Sequence, residues 1–304
     1  MNARLPIMLA ALAVTAATAA PASTPTFMQG VEAWEAGDAS RCADLLLAVE
    51  SAGAPVPTGG ELLTAECLAG ADRHDEALVY LRRQLPTGRI DLDELRGKSR
   101  PGLDALRTQA GWPALLVEAE QRAQAREAGM DHALRDELLR RQAIDQEIRQ
   151  QVFVDPTTRG DTALMARMAD IDRDNIAWLH GVLRDGWPDS DRVGHDGAKA
   201  AWLLVQHADA DPALQRMALE LMQRAVAAGR ADPSDFALLT DRVLLAEDSP
   251  QRYGTQFQTG EDGRMRLRPV EDAGGLDARR AAVGLPPMAE YRALLQQMYG
   301  QPVE

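Results

Sequence analysis

Ala200 to Asp211, AAWLLVQHADAD, is the stretch from which the fold of this chain is read. Trp202, Leu203, Leu204 and Val205 favour leaving water, while Gln206 and His207 carry groups that cost free energy if buried without hydrogen-bond partners. Ala198, Ala200 and Ala201 are small enough to let a second helix approach closely. Asp211 followed by Pro212 reads as the start of another helix, with a side-chain cap and a ring that fits the first turn. The spacing thus predicts a helix over about 197–208, a sharp turn, and a second helix running to Gly229: helix packed on helix. Two more stretches share the mixture of polar and apolar residues, LTDRVL at Leu239–Leu244 and QRYGTQ at Gln251–Gln256.

Composition supports an all-α fold. Of the 304 residues, 45% are apolar but only 4% aromatic, and Ala, Leu, Arg, Asp and Glu are abundant. The length suits two domains with separate cores. The formal net charge is −13, and one more negative once the segment carrying Arg4 is removed. With no dense basic stripe, so acidic a chain repels phosphate backbones, and nucleic acid is not an expected partner. The first 22 residues read as an export signal: Arg4, an apolar run from Leu5 to Ala20, then small residues with cleavage after Ala19 or Ala22. No later segment approaches a membrane span, so the mature protein is expected in the periplasm or secreted. The two cysteines, Cys42 and Cys67, are expected to pair there, since the close spacing of a redox site is missing.

Residues 23–128 read as a helical module and 129–304 as a larger helical domain with one small β-hairpin. In the first, short amphipathic helices are paired by tight turns, and Gly70–Leu81 echoes Ala36–Leu47 at an offset of 34. That period, with small residues where helices cross, resembles tetratricopeptide repeats, although Asp72 and His74 stand where such a repeat usually carries Gly and an aromatic residue. Asp91–Ala119 reads as a helical tail that closes the array, with a Trp-anchored helix from Trp112. In the second part, helices are predicted over Asp131–Phe153, Asp161–Leu183 and Ser234–Ala246. A hairpin over 252–269 and two helices over 276–283 and 287–299 complete it.

The second part resembles a bacterial domain of unknown function, numbered 6624. The residues that carry the resemblance are Asp145-Gln146 with Arg149, Asp172 with Asn175, Gly186-Trp187-Pro188, Val193-Gly194, Gln206-His207-Ala208-Asp209, Leu239-Thr240-Asp241-Arg242, Gln251 with Tyr253-Gly254-Thr255-Gln256, and Asp277 with Arg279-Arg280-Ala281. They span about residues 131–300 in order. The resemblance implies no activity.

For chemistry, His207 is a candidate general base, since its proton affinity lies near neutrality. Asp241, flanked at helical spacing by Leu238, Leu244 and Leu245, is a candidate carboxylate to orient it. Gln206, Arg242, Tyr253 and Gln256 are the expected ligand-binding groups. A core histidine, a structural ion pair and a loop that merely opens the hairpin are the alternative readings. Asp170, Asp172 and Asp174 alternate like a calcium loop but lack its glycine and its final acid. No Gly-rich phosphate loop, nucleophile elbow or zinc-type cluster is present, and neither cofactor nor metal is expected. The expected partners are a protein or peptide in the cell envelope for the repeat-like module and a polar small molecule for the domain behind it. A hydrolase or transferase using His207 and Asp241 is the competing expectation.

Overall fold

The computed structural model describes residues 25–304 apart from residues 58, 98, 156 and 159; the expected export signal lies outside the described residues. Helix formation follows local chemistry. Thr26 and Gln29 form a reciprocal capping box at the start of α1 (Phe27–Glu35), and Asp38 caps α2 (Ala39–Ser51) by accepting from Arg41 N–H. Then come α3 (Gly60–Gly70) and α4 (His74–Gln84). The two pairs turn alike: Gly37 (φ 78°) and Asp72 (φ 59°) both take the left-handed conformation between their helices. These two positions are 35 apart, one more than the offset read from the sequence. The same shift superimposes buried Cys42, Ala43 and Leu46 on buried Ala77, Leu78 and Leu81. Cys42 and Cys67 are bonded to each other, Cα atoms 5.7 Å apart, tying α2 to α3. Short helices α5 (Leu92–Arg96) and α6 (Asp104–Arg107) and the long α7 (Trp112–Gly129) close this first core, with Trp112 and Leu115 inside it.

A second core begins at α8 (His132–Arg149), which ends in a π-helical turn over Gln150–Val154 where one unbroken helix to Phe153 was expected. There follow α9 (Thr162–Arg184), α10 (Ser190–Gln206), α11 (Pro212–Ala227) and α12 (Pro233–Ala246), started by side-chain caps from Asp161, Asp189, Asp211 and Asp232. Helix α10 starts earlier than predicted and is kinked at Gly194. A two-stranded antiparallel sheet, β1 (Phe257–Thr259) and β2 (Met265–Leu267), pairs Gln258 with Arg266. The last residues lie along β2: Met265 N–H donates to Pro302 and Leu267 N–H to Glu304. Helices α13 (Leu276–Ala281) and α14 (Met288–Tyr299) complete the fold, which is all-α with one small hairpin. No helix among the described residues is long and apolar enough to cross a membrane.

The site is positioned by α8 and α10, which run parallel. Asp131 N–H donates to Arg192 C=O (2.8 Å), Arg135 pairs with Asp196 (2.6 Å), and Asp145 meets His207 (2.8 Å), so the offset between the two helices stays at 61 or 62 residues throughout. Of the small residues expected to admit another helix, Ala200 and Ala201 are fully buried and Ala198 only partly, while buried Gly197 is the one that faces Arg135 of α8.

Candidate functional site

His207 is the residue at which α10 ends; its own N–H still donates back to Leu203 C=O. Its imidazole lies 2.8 Å, through Nδ1, from Oδ2 of Asp145 on α8. Asp145 is completely buried, and three groups serve it. Oδ2 accepts from His207 and from Gln146 Nε2 (2.9 Å), and Oδ1 accepts from the Arg149 guanidinium (2.6 Å). Arg149 continues the chain to Asp172 on α9, 2.9 Å away. An ionised carboxylate only accepts, so the hydrogen between His207 and Asp145 belongs to Nδ1. The lone pair of the neutral ring is thereby fixed on Nε2, which makes no hydrogen bond to a described residue and is not sealed off, the side chain being 21% exposed. A ring held this way can accept a proton or a hydrogen bond from something outside the protein, and the buried carboxylate would stabilise the imidazolium so formed.

Neighbouring residues fix the helix end. Gln215 of α11, buried, donates to the carbonyls of Val205 (3.1 Å) and Gln206 (3.3 Å) and to Asp209 (3.3 Å). Asp209 takes two contacts from Arg242 of α12, at 2.6 and 2.8 Å. Gln206 is buried, and its Nε2 has no partner among the described residues.

Asp241 is not the carboxylate that orients His207. It is fully buried, as its apolar flanks predict, but it faces the following loop. Its oxygens accept from the N–H groups of Arg252 (2.7 Å), Tyr253 (2.8 Å) and Thr255 (2.9 Å) and from the Thr255 hydroxyl (2.9 Å). From the other side, fully buried Arg280 donates to the carbonyls of Tyr253 (2.7 Å) and Gly254 (3.3 Å) and lies over the Tyr291 ring. Gln251 clasps the same loop: its side chain accepts from Gln256 N–H (2.9 Å) and donates to Gln256 C=O (3.0 Å). The Gln256 amide is turned onto Thr255, and Tyr253 is buried, its phenol pushed above its usual range by burial. The single cluster expected from the sequence is therefore two. Gln206 and His207 stand at one end of α10 with Arg242 nearby through Asp209, whereas Asp241, Tyr253 and Gln256 build a loop clamp joined to that end by no hydrogen bond among the described residues. The physical reason is helical phase, since adjacent residues Asp241 and Arg242 cannot face the same way.

Sequence reasoning gave no role to Asp145, Arg149, Asp172 or Gln215. The signal for Asp145 was its place seven residues after Leu138 and three before Ile148, an acid set in the inner stripe of α8. The alternating acids of α9 are spent on arginines: Asp170 on Arg173, Asp172 on Arg149, Asp174 on Arg141.

Comparison with family models gives a match over residues 132–304 to a family described as of unknown function, DUF6624. No curated protein and no solved structure matches the chain.

Proposed function

The chain belongs to the DUF6624 family, and from that premise we propose that it is an exported binding protein of the cell envelope whose second domain holds a polar ligand at His207. One observation carries this reading: a 21% exposed imidazole whose Nδ1 is fixed at 2.8 Å by a carboxylate with no exposure at all, leaving Nε2 without a partner among the described residues. Burying such a carboxylate is costly unless it is fully partnered. Asp145 has those partners, and through Oδ2 they fix the orientation of the His207 imidazole. In this reading Nε2 accepts from a hydroxyl, amide or ammonium group of the ligand, with the ion pair of Arg242 and Asp209 beside it. The helix pairs of the first module are the part proposed to engage a protein or peptide, as stacked pairs present a concave face.

A second reading is favoured by the same dyad. With Asp145 in the orienting role first expected of Asp241, His207 is set up as a general base, as in a hydrolase or transferase. No Ser, Thr or Cys side chain among the described residues is bonded to His207, so the nucleophile there would be water or part of a substrate.

A thermal-shift screen of the full chain against sugars, peptidoglycan fragments and metals tests both readings, because a ligand selective for the native state raises the melting temperature. A rise that disappears in His207→Ala, while that variant keeps its helical circular dichroism, is the expected outcome. Hits that shift wild type and His207→Ala equally place the ligand elsewhere and sink the assignment. Turnover of a hit by wild type but not by His207→Ala selects the enzymatic reading.

A further inference from the structure

A cavity of about 320 Å³ lies where the first module meets the second domain, away from His207. Arg89, from the segment after α4, lines it together with Trp187, Lys199, Trp202, Arg230 and Asp235. Each of its three long cations belongs to an ion pair in which the carboxylate is the buried member. Arg89 at 22% exposure pairs with Glu61 at 5%, Lys199 at 52% with Asp235 at 10%, and Arg230 at 46% with Asp189 at 15%. Glu61 and Asp189 are not part of the cavity wall, so they stand behind their cations. The remaining acids of the wall are spent: Asp196 on Arg135, and Asp232 on the N–H and hydroxyl of Ser234 at the start of α12. In a chain of formal charge −13, this junction brings three cation ends to one cavity.

We propose that this cavity is a second binding site, for a small organic anion, carboxylate or phosphate, attached to an apolar body. The anionic group would be held by Lys199, Arg230 and Arg89, and the apolar body by Trp187 and Trp202. Lys199 is the adjustable member. Its ammonium bonds Asp235 at 2.6 Å and stands 3.9 Å from the Trp202 ring centre, and at about half exposure it keeps room for a second anionic partner. Asp235 is otherwise poorly served, and burial pushes its carboxyl up to about 6 despite Lys199. Pockets of this size at the junction of two units, with a few converging polar groups and aromatic walls, are where small ligands bind. The site does not depend on the reading of His207.

Because Trp187 and Trp202 line the cavity, tryptophan fluorescence of the full chain is the readout. Phenylacetate, phenyl phosphate and neutral phenylacetamide are the probes. Saturable quenching by either anion and none by the amide is the expected result; which anion binds tells carboxylate from phosphate. In Lys199→Met and Arg230→Gln the binding constant should weaken by about tenfold, the loss of one charge-assisted contact. Arg230 is half-exposed, so Arg230→Gln decides the matter if Lys199→Met does not fold. Equal binding of phenylacetamide, wild-type affinity in Arg230→Gln, or no saturation by either anion overturns the proposal.

Discussion

Asp145 and Asp235 are both buried acids of the family-matched part, residues 132–304, and their surroundings treat them in opposite ways. Asp145 has three donors in place, whereas Asp235 has Lys199 alone. Burial outweighs that one ammonium and raises the Asp235 carboxyl from 3.8 to about 6. The sign follows from proton linkage. Between those values the folded chain holds a proton that the unfolded chain has lost, so this residue's contribution is full below pH 4 and is lost as the pH rises through about 6. Asp235→Asn should therefore be more stable than wild type at pH 8, by about 1–3 kcal/mol, and indistinguishable from it near pH 4. Urea denaturation at both pH values checks this, and an equal increment at the two would contradict it. At this scale the sequence was half legible. An acid or amide among leucines announces that it needs a partner, which identified Asp241, Gln206 and His207 as costly to bury. Who the partner is depends on which helices pair, and the partner of His207 lies 62 residues away on a helix whose pairing no spacing rule supplies.

Elements were read more fully, because caps and turns are local chemistry. Asp211 caps the helix it was expected to, and Ala200 and Ala201, read as small enough for a second helix to approach, are fully buried. The π-helical turn after Arg149 was not legible, since its residues continue an ordinary apolar stripe. The Gln251–Gln256 loop was read as site-like, and physically it is a knot, with Asp241 taking its N–H groups and Arg280 giving to its carbonyls. Gly254 lies at the centre of the knot with φ 66°, and a Cβ there would come within 2.6 Å of Met288 Cε and 3.3 Å of Leu276 Cδ2. The methionine end can give way, but the left-handed backbone cannot be accommodated without strain by any residue bearing a side chain. Gly254→Ala is expected to cost about 1–3 kcal/mol. Hydrogen exchange should show the loss first in the amides of Tyr253 and Thr255, which Asp241 holds. Wild-type protection at those two amides would mean that the clamp does not depend on this backbone shape.

At the scale of the molecule the described residues form two buried clusters, one built from Ala33 to Ala119 and one from Leu138 to Val243, and none of them belongs to both. Between them α7 touches α10, and residues of both halves line two cavities. Arg89 reaches the cationic cavity, and a crevice of about 620 Å³ separates Phe27, Pro55 and Pro57 from Leu285 and Pro287. Interfaces of this kind couple domains weakly, so the halves should lose structure at different free energies. The disulfide makes this measurable because both of its cysteines lie in the first cluster. It closes a segment of 25 residues, and cutting such a link releases chain entropy on unfolding worth about 3 kcal/mol. Replacing both cysteines by alanine should therefore lower the stability of α1 to α7 by roughly that amount. Amides of α8 to α12 should keep wild-type exchange protection. Two separated thermal transitions in the variant are the expected signature. A single transition that moves as a whole, with protection falling equally in both halves, would instead make the chain one cooperative unit whose first module cannot open while the His207 region stays folded.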